Sequence, residues 1–297
     1  MTAQKNQFIG CDKGYEDAET VIFGAPYDST TSFRPGTRFG PSAMRMESFG
    51  IETYSPAQDR DLVDDTKVFD SGDLELPFGA PEPALKLIEE RAAQILADGK
   101  RPFLLGGEHL VTLGAFRAVQ KKYPDVVAIH FDAHADLRED YLGNPLSHAC
   151  VLRRIYDLVG DGRIYQFGIR SGTRDEFRFM TDGHVTTEPF SDTTLTSVVS
   201  SIEQSNNQTI KQSPPVYLTI DMDVLDPSEF PGTGTQEAGG FRYPQLVADM
   251  RLICSRLNVV AMDNVELNPG LDPTGRSTAL ACKFLRECLL SLAKKGK

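Results

Sequence analysis

No apolar run in the chain approaches the roughly 20 residues that a membrane span needs, and residues 1–10 lack the charged, apolar and small-residue regions of a signal peptide. A cytoplasmic protein with no membrane contact is expected. Positive charge is also short: 31 Lys and Arg stand against 42 Asp and Glu, a net charge of −11. Without a Lys/Arg cluster there is no electrostatic footprint for nucleic acid, so a polyanionic partner is disfavoured and a small cationic ligand is favoured. The cysteines are few and show no CxxC spacing, which argues against a disulfide frame or a zinc knuckle. Cys11, Cys254, Cys282 and Cys288 read as reduced packing residues. Cys150, two residues after His148, is the one position where a Cys–His nucleophile is conceivable, although side chains two apart on a helix do not face each other. Internal repeats, low-complexity tracts and composition shifts are lacking too, so residues 1–297 read as one domain with a polar N-terminal extension at about 1–18 that runs over the surface.

What is present is a globular composition, 40% hydrophobic and 25% charged. After the extension, TVIFGAP reads as a short buried strand that stops near Gly24 and Pro26. Apolar runs at 68–69, 102–105, 126–129, 164–167, 216–220 and 259–262 lack period-two alternation, as expected of strands covered on both faces. Helical spacing separates them. Leu85, Ile88, Ala92 and Ile95 form one stripe, closed by Gly99, and Val151, Ile155 and Leu158 another. Leu246, Met250, Ile253 and Leu257 form a third, and Ala279, Phe284, Cys288 and Leu292 define a last helix. Pro41 suits the first turn of a short helix, and 191–213 reads as a weak helix with loops. This alternation predicts an α/β fold: a parallel sheet of roughly eight strands with helices on both faces. Ligands in such folds sit beyond the carboxyl ends of the strands.

Those ends carry the chemistry. The run at 102–105 leads into Gly106-Gly107-Glu108-His109, the run at 126–129 into His130-Phe131-Asp132-Ala133-His134-Ala135-Asp136, and the run at 216–220 into Asp221-Met222-Asp223. In an extended segment, side chains two apart project to one side, so Asp132, His134 and Asp136 can converge, as can Asp221 and Asp223. With His109 they make four carboxylates and two imidazoles. That many carboxylates in a dry cleft would repel one another unless cations compensated them, and two divalent ions restore balance. A single DxD after a strand is usually a turn or a helix cap. Three such clusters at three strand ends point instead to a two-metal centre. An oxygen-rich donor set without thiolate suits Mn²⁺ better than Zn²⁺ or copper. His130 reads as buried packing and His184 as an ordinary loop residue. Phosphoester hydrolysis, which also uses paired metals, is disfavoured because no basic set for phosphate accompanies the ligands.

The motifs GGEH (106–109), DAHAD (132–136) and DMD (221–223) together resemble the ureohydrolases, the arginase and agmatinase family. TSFRPGTRFGPSAMR (31–45), LSHA (146–149), GTGTQEAGG (232–240) and ELNP (266–269) extend the resemblance over most of the chain. Within the family, the RPGTRFGP loop and the segment 137–147 are similar to bacterial agmatinases. The resemblance implies a three-layer αβα sandwich around an eight-stranded parallel sheet, assembled as homotrimers or homohexamers. It implies one manganese on His109, Asp132, Asp136 and Asp221 and a second on Asp132, His134, Asp221 and Asp223, with Asp132 and Asp221 bridging. The implied reaction is hydrolysis of agmatine to putrescine and urea, in polyamine biosynthesis, by a metal-ionised water attacking the guanidinium carbon. In that reaction Asp136 would pass a proton to the departing nitrogen and Glu266 would hold the guanidinium through paired charge-assisted hydrogen bonds. His148 would shuttle protons or touch substrate, and Glu237 is a candidate to line the mouth. Arginase, guanidinobutyrase and formimidoylglutamase activities are the alternatives within the family; a metal-stabilised oligomer or sensor is the alternative outside it.

Overall fold

The computed structural model describes residues 7–205 and 213–293. Residues 1–6 of the expected extension and 206–212 of the expected weak helix lie outside them. The strands in chain order are β1 (Thr20–Ala25), the short β2 (Tyr54–Ser55) and β3 (Arg60–Asp61), β4 (Val68–Asp73), β5 (Arg101–Gly106), β6 (Val127–Phe131), β7 (Ile164–Ile169), β8 (Thr186–Pro189), β9 (Val216–Asp221) and β10 (Val259–Val265). Apart from the antiparallel pair β2–β3, they form an eight-stranded sheet in the order β4-β1-β5-β10-β9-β6-β7-β8, every pairing parallel. All residues of β1 and β9 are buried, as their unbroken apolar runs require. Seven of these strands coincide with the apolar runs of the sequence. The eighth, β8, is polar because it is the sheet edge and needs no second covered face.

The helices are α1 (Gly40–Glu47), α2 (Leu62–Asp65), α3 (Pro81–Ala97), α4 (Val111–Lys122), α5 (Val151–Val159), α6 (Arg174–Thr181), α7 (Leu195–Gln204), α8 (Tyr243–Arg256) and α9 (Arg276–Leu292). On one face Leu85, Ile88, Phe116 and Ile155 of α3, α4 and α5 pack on Phe23, Leu104, Ala128 and Tyr217. On the other, Val199, Met250, Phe284 and Cys288 of α7, α8 and α9 pack on Ile22, Leu105, Ile129 and Leu218. Neighbouring residues of a strand thus feed opposite cores, which makes the molecule a three-layer αβα sandwich. α3 ends before Gly99, which sits at φ 73°, and Pro41 occupies the first turn of α1.

The N-terminal segment differs from expectation. Phe8 and Cys11 are buried with Met44, Ile51 and Leu62. The Phe8 amide donates to Asp70 Oδ2 at 2.8 Å, and Asp70 is gripped by Arg45 through bonds of 2.8 and 2.9 Å. One aromatic residue with a pocket to fill is enough to dock a segment whose average composition is polar.

Candidate metal centre

The strand order places the motif-bearing strands side by side. β5, β10, β9 and β6 are consecutive in the sheet, so His109 beyond β5, Glu266 after β10, Asp221 and Asp223 at the end of β9, and Asp132, His134 and Asp136 beyond β6 share one edge of the sheet. Gly107 lets the backbone bend there against Tyr27: a Cβ at this position would lie 2.0 Å from the Tyr27 carbonyl oxygen. Two segments are not extended, contrary to the simple side-alternation argument. Asp136 takes a left-handed conformation at φ 53°, and Met222–Val224 form a 3₁₀ turn capped by Asp221, whose Oδ1 accepts from the Asp223 amide at 2.8 Å. Convergence is achieved by these turns. Glu266 is also left-handed, at φ 66°. Two non-glycine residues held in this costly region at one sheet edge mark a constrained site.

The six expected ligands come together in two overlapping groups. His109 Nδ1 lies 3.0 Å from Asp132 Oδ2, 3.2 Å from Asp136 Oδ2 and 3.3 Å from Asp221 Oδ2. His134 Nδ1 lies 3.0 Å from Asp223 Oδ2 and 3.5 Å from Asp132 Oδ1. Asp132 gives one oxygen to each group, which suits a carboxylate shared by two ions. His109 Nδ1 and Asp223 Oδ2 are buried without a hydrogen-bond partner. Such orphaned atoms are costly unless something else fills the site. His109 Nε2 faces Thr219 Oγ1 at 3.0 Å, which leaves Nδ1 as the atom turned to the carboxylates.

Electrostatics repeat the point. Burial, then the charges of Asp223 and Asp132, hold the Asp221 carboxyl well above the usual range. Burial and the charge of Asp132 push Asp136 up to about 7. Burial opposes a charged imidazole at His109, but Asp132, Asp136 and Asp221 outweigh it and raise the ring's pKa. Protons thus gather where positive charge is wanted, and the donor set of carboxylates and imidazoles fits a pair of divalent ions.

Glu266 is buried; its Oε1 accepts from the His109 amide at 2.7 Å, and burial with nearby Glu108 raises its pKa well above the ordinary value. His148 opens the 3₁₀ turn before α5 and stands apart from the six ligands. Its Nε2 accepts from the Ser32 amide at 3.2 Å, so the ring is neutral; burial, then His134 and His109, lower its pKa to about 4. Glu237 is more exposed, 4.0 Å from His134 Nε2. Ser32, His134, Asp136, His148, Glu237 and Glu266 all line one cavity of about 550 Å³, rimmed also by Arg34, Arg138 and Tyr141. Cys150 is excluded as a nucleophile. It is buried with its sulfur 3.9 Å from the Asn144 carbonyl, and burial pushes the thiol up to about 11. His184 is a loop residue bonded to Asp161 at 2.8 Å, as expected.

Three participants escaped the sequence reading. His130 is buried as expected but is not mere packing: its Nε2 lies 2.8 Å from Asp132 Oδ2. Its place two residues before Asp132, on the ligands' side of the strand, was the available signal. Glu108 accepts from the Thr30 amide and from the hydroxyls of Thr30 and Thr31, while Thr30 Oγ1 accepts from the His148 amide. It ties the cavity loop to the metal strand, and burial raises its pKa to about 7. Arg170 donates to the carbonyls of Asp223 and Glu237, joining the ligand turn to the mouth; no sequence pattern announces it.

The Arginase family profile matches residues 18–291. The chain belongs to the arginase family. An agmatinase from Bacillus anthracis is 45% identical over 97% of this chain and 96% of its own. A guanidinobutyrase from Pseudomonas aeruginosa is 34% identical over 92% and 86%. The crystal structure of agmatine ureohydrolase of Thermoplasma volcanium superposes with a TM-score of 0.87, at 33% identity, covering 98% of this chain and 95% of that one. These relatives place the chain on the agmatinase branch of the ureohydrolases and make it an amidinohydrolase. Among the described residues no helix is long and apolar enough to cross a membrane.

Proposed function

We propose that this arginase-family member is a manganese-dependent agmatinase that hydrolyses agmatine to putrescine and urea, a step of polyamine synthesis. The observation that carries the reading is the pair of ligand groups sharing Asp132 at the floor of an open cavity; the similarity to agmatinases supports the choice of substrate. Two manganese ions held by His109, Asp132, Asp136, Asp221 and by Asp132, His134, Asp221, Asp223 would supply a water acidic enough to attack a guanidinium carbon near neutral pH. The chain's own groups do the rest. Glu266 holds the planar guanidinium, and its anchoring to the His109 amide fixes its carboxylate relative to the ligands. Asp136 carries a proton to the departing nitrogen. His148, neutral with its Nε2 taken by the Ser32 amide, borders the substrate path, where its Nδ1–H is left to donate to substrate. Glu237 at the mouth faces the distal ammonium of a dication, in keeping with the net charge of −11.

A second reading, guanidinobutyrase, draws on Arg34 and Arg138 at the rim, which suit a carboxylate tail. Urea or formamide release from agmatine, 4-guanidinobutyrate, arginine and formimidoylglutamate separates the candidates. Fastest turnover of agmatine supports the proposal, and fastest turnover of any other substrate overturns it. We infer also that copies assemble as trimers or hexamers, since Phe33, Phe39, Met46, Phe49 and Phe78 are exposed; a monomeric mass by light scattering would refute this.

A further inference from the structure

Five adjacent strands carry a polar residue at the same level, on the face covered by α3, α4 and α5. The register pairs Thr187 of β8 with Gln166 of β7, Gln166 with His130 of β6, His130 with Thr219 of β9, and Thr219 with Asp263 of β10. Gln166, His130, Thr219 and Asp263 are fully buried, whereas the next strands β5 and β1 carry Leu104 and Phe23 at this level. His130 and Thr219 each stand two residues, one pleat repeat, before the ligands Asp132 and Asp221.

The hydrogen bonds of this row run to two metal ligands. From the β8 side, the Thr187 hydroxyl donates to Gln166 Oε1 at 3.1 Å, and Gln166 Nε2 donates to the Ala135 carbonyl at 2.9 Å and meets His130 Nδ1 at 3.0 Å. The carbonyl fixes which end of the amide is nitrogen. His130 Nδ1 is therefore an acceptor, Nε2 carries the proton, and it donates to Asp132 Oδ2 at 2.8 Å. This excludes His130 as a third metal-ligating histidine, although its ring nitrogen lies within reach of His109 and Asp132. From the β10 side, Asp263 accepts from the Tyr217 hydroxyl and from Thr219 Oγ1, both at 2.7 Å. With its hydrogen committed to Asp263, Thr219 Oγ1 accepts from His109 Nε2 at 3.0 Å.

We propose that this polar row orients the metal centre: it sets the tautomer and ring angle of His109 and the rotation of the Asp132 carboxylate, so that His130, Gln166, Thr219 and Asp263 are positioning residues for ion binding. A core serving only stability would be cheaper to build from apolar side chains, because each buried polar group must be desolvated and paired. Here both ends of the row lead to a ligand, Asp132 through His130 and His109 through Thr219. The inference rests on the reading of the site as a two-ion centre.

The test is manganese binding by the full chain, read by equilibrium dialysis and by the electron paramagnetic resonance signature of a coupled ion pair. Thr219→Val, nearly the same shape, should weaken manganese binding by about 10- to 100-fold, while Thr219→Ser, which keeps the hydroxyl, should stay within about threefold of wild type. His130→Phe should weaken binding likewise. Should that variant fail to fold by circular dichroism, Gln166→Leu, which keeps the ring but frees its tautomer, tests the same contact. Wild-type affinity in folded Thr219→Val or in the His130 arm, or a serine variant no better than the valine one, overturns the proposal. A wild-type chain that fails to hold two ions overturns the two-ion reading itself, a distinguishable result.

Discussion

Removing the ions should cost stability in two separable parts. Each ion that binds the folded chain and not the unfolded one stabilises by about 2.7 kcal/mol at a hundredfold excess over its Kd. Unfolding entropy of about 2.1 cal/mol/K per residue makes about 0.6 kcal/mol/K for a chain of 297 residues, so each ion should raise Tm by about 4 °C and the pair by about 9 °C. The structure says how to divide this. Asp223 touches only the His134 group, whereas Asp132 serves both. Asp223→Ala should therefore keep about half the manganese-induced rise, and Asp132→Ala should lose nearly all of it. Calorimetry of chelator-treated protein, with and without added manganese, measures the shift within each variant, so any change in ion-free stability cancels. The pH dependence has a definite sign. Without ions, the folded pKa of Asp136 is raised to about 7, so the folded chain holds a proton that the unfolded chain has already released. An ion must displace it, and the shift should grow as pH rises through 7. A full rise retained by Asp223→Ala, or a shift that shrinks with rising pH, would refute the reasoning.

Glu266→Gln should keep both ions but lower kcat/KM for agmatine by about 30-fold or more, the loss expected when one partner of a buried charged pair is neutralised; steady-state urea release checks this, and an unchanged kcat/KM contradicts the guanidinium role. Arg45→Met breaks the buried bonds to Asp70 and should destabilise by about 3–5 kcal/mol, read by denaturant unfolding as a lower midpoint. Burial and then Asp192 raise the folded pKa of Asp249 to about 8. A carboxyl raised in this way contributes stability while protonated and loses it as pH climbs from about 4 toward 8. Asp249→Asn should flatten that slope in unfolding measured across the range, and an unaltered slope would exclude the group as its source.

The parts of the fold legible in sequence are those where local pattern and tertiary role coincide. Unbroken apolar runs became β1, β5, β6 and β9 because both faces of a central parallel strand are covered. The edge strand β8 was invisible since it has little to bury, and the docking of Phe8 was invisible because one aromatic residue leaves no period. The convergence of the six candidate ligands was legible for the same reason that three carboxylate-bearing strand ends are hard to explain otherwise. Their geometry was not: Asp136 and Asp223 reach the centre through a left-handed residue and a 3₁₀ turn, which depend on contacts with distant segments. Glu108, Arg170 and the row through Gln166, Thr219 and Asp263 are cross-strand relations. A sequence shows them only as single polar letters within apolar runs.

The most direct measurement is an anomalous difference map from crystals of the full chain grown with ample manganese. The account predicts two peaks, one bounded by His109 and Asp136 and the other by His134 and Asp223, with Asp132 and Asp221 touching both. A single peak, none, or an ion bound by His130 Nε2 would contradict it.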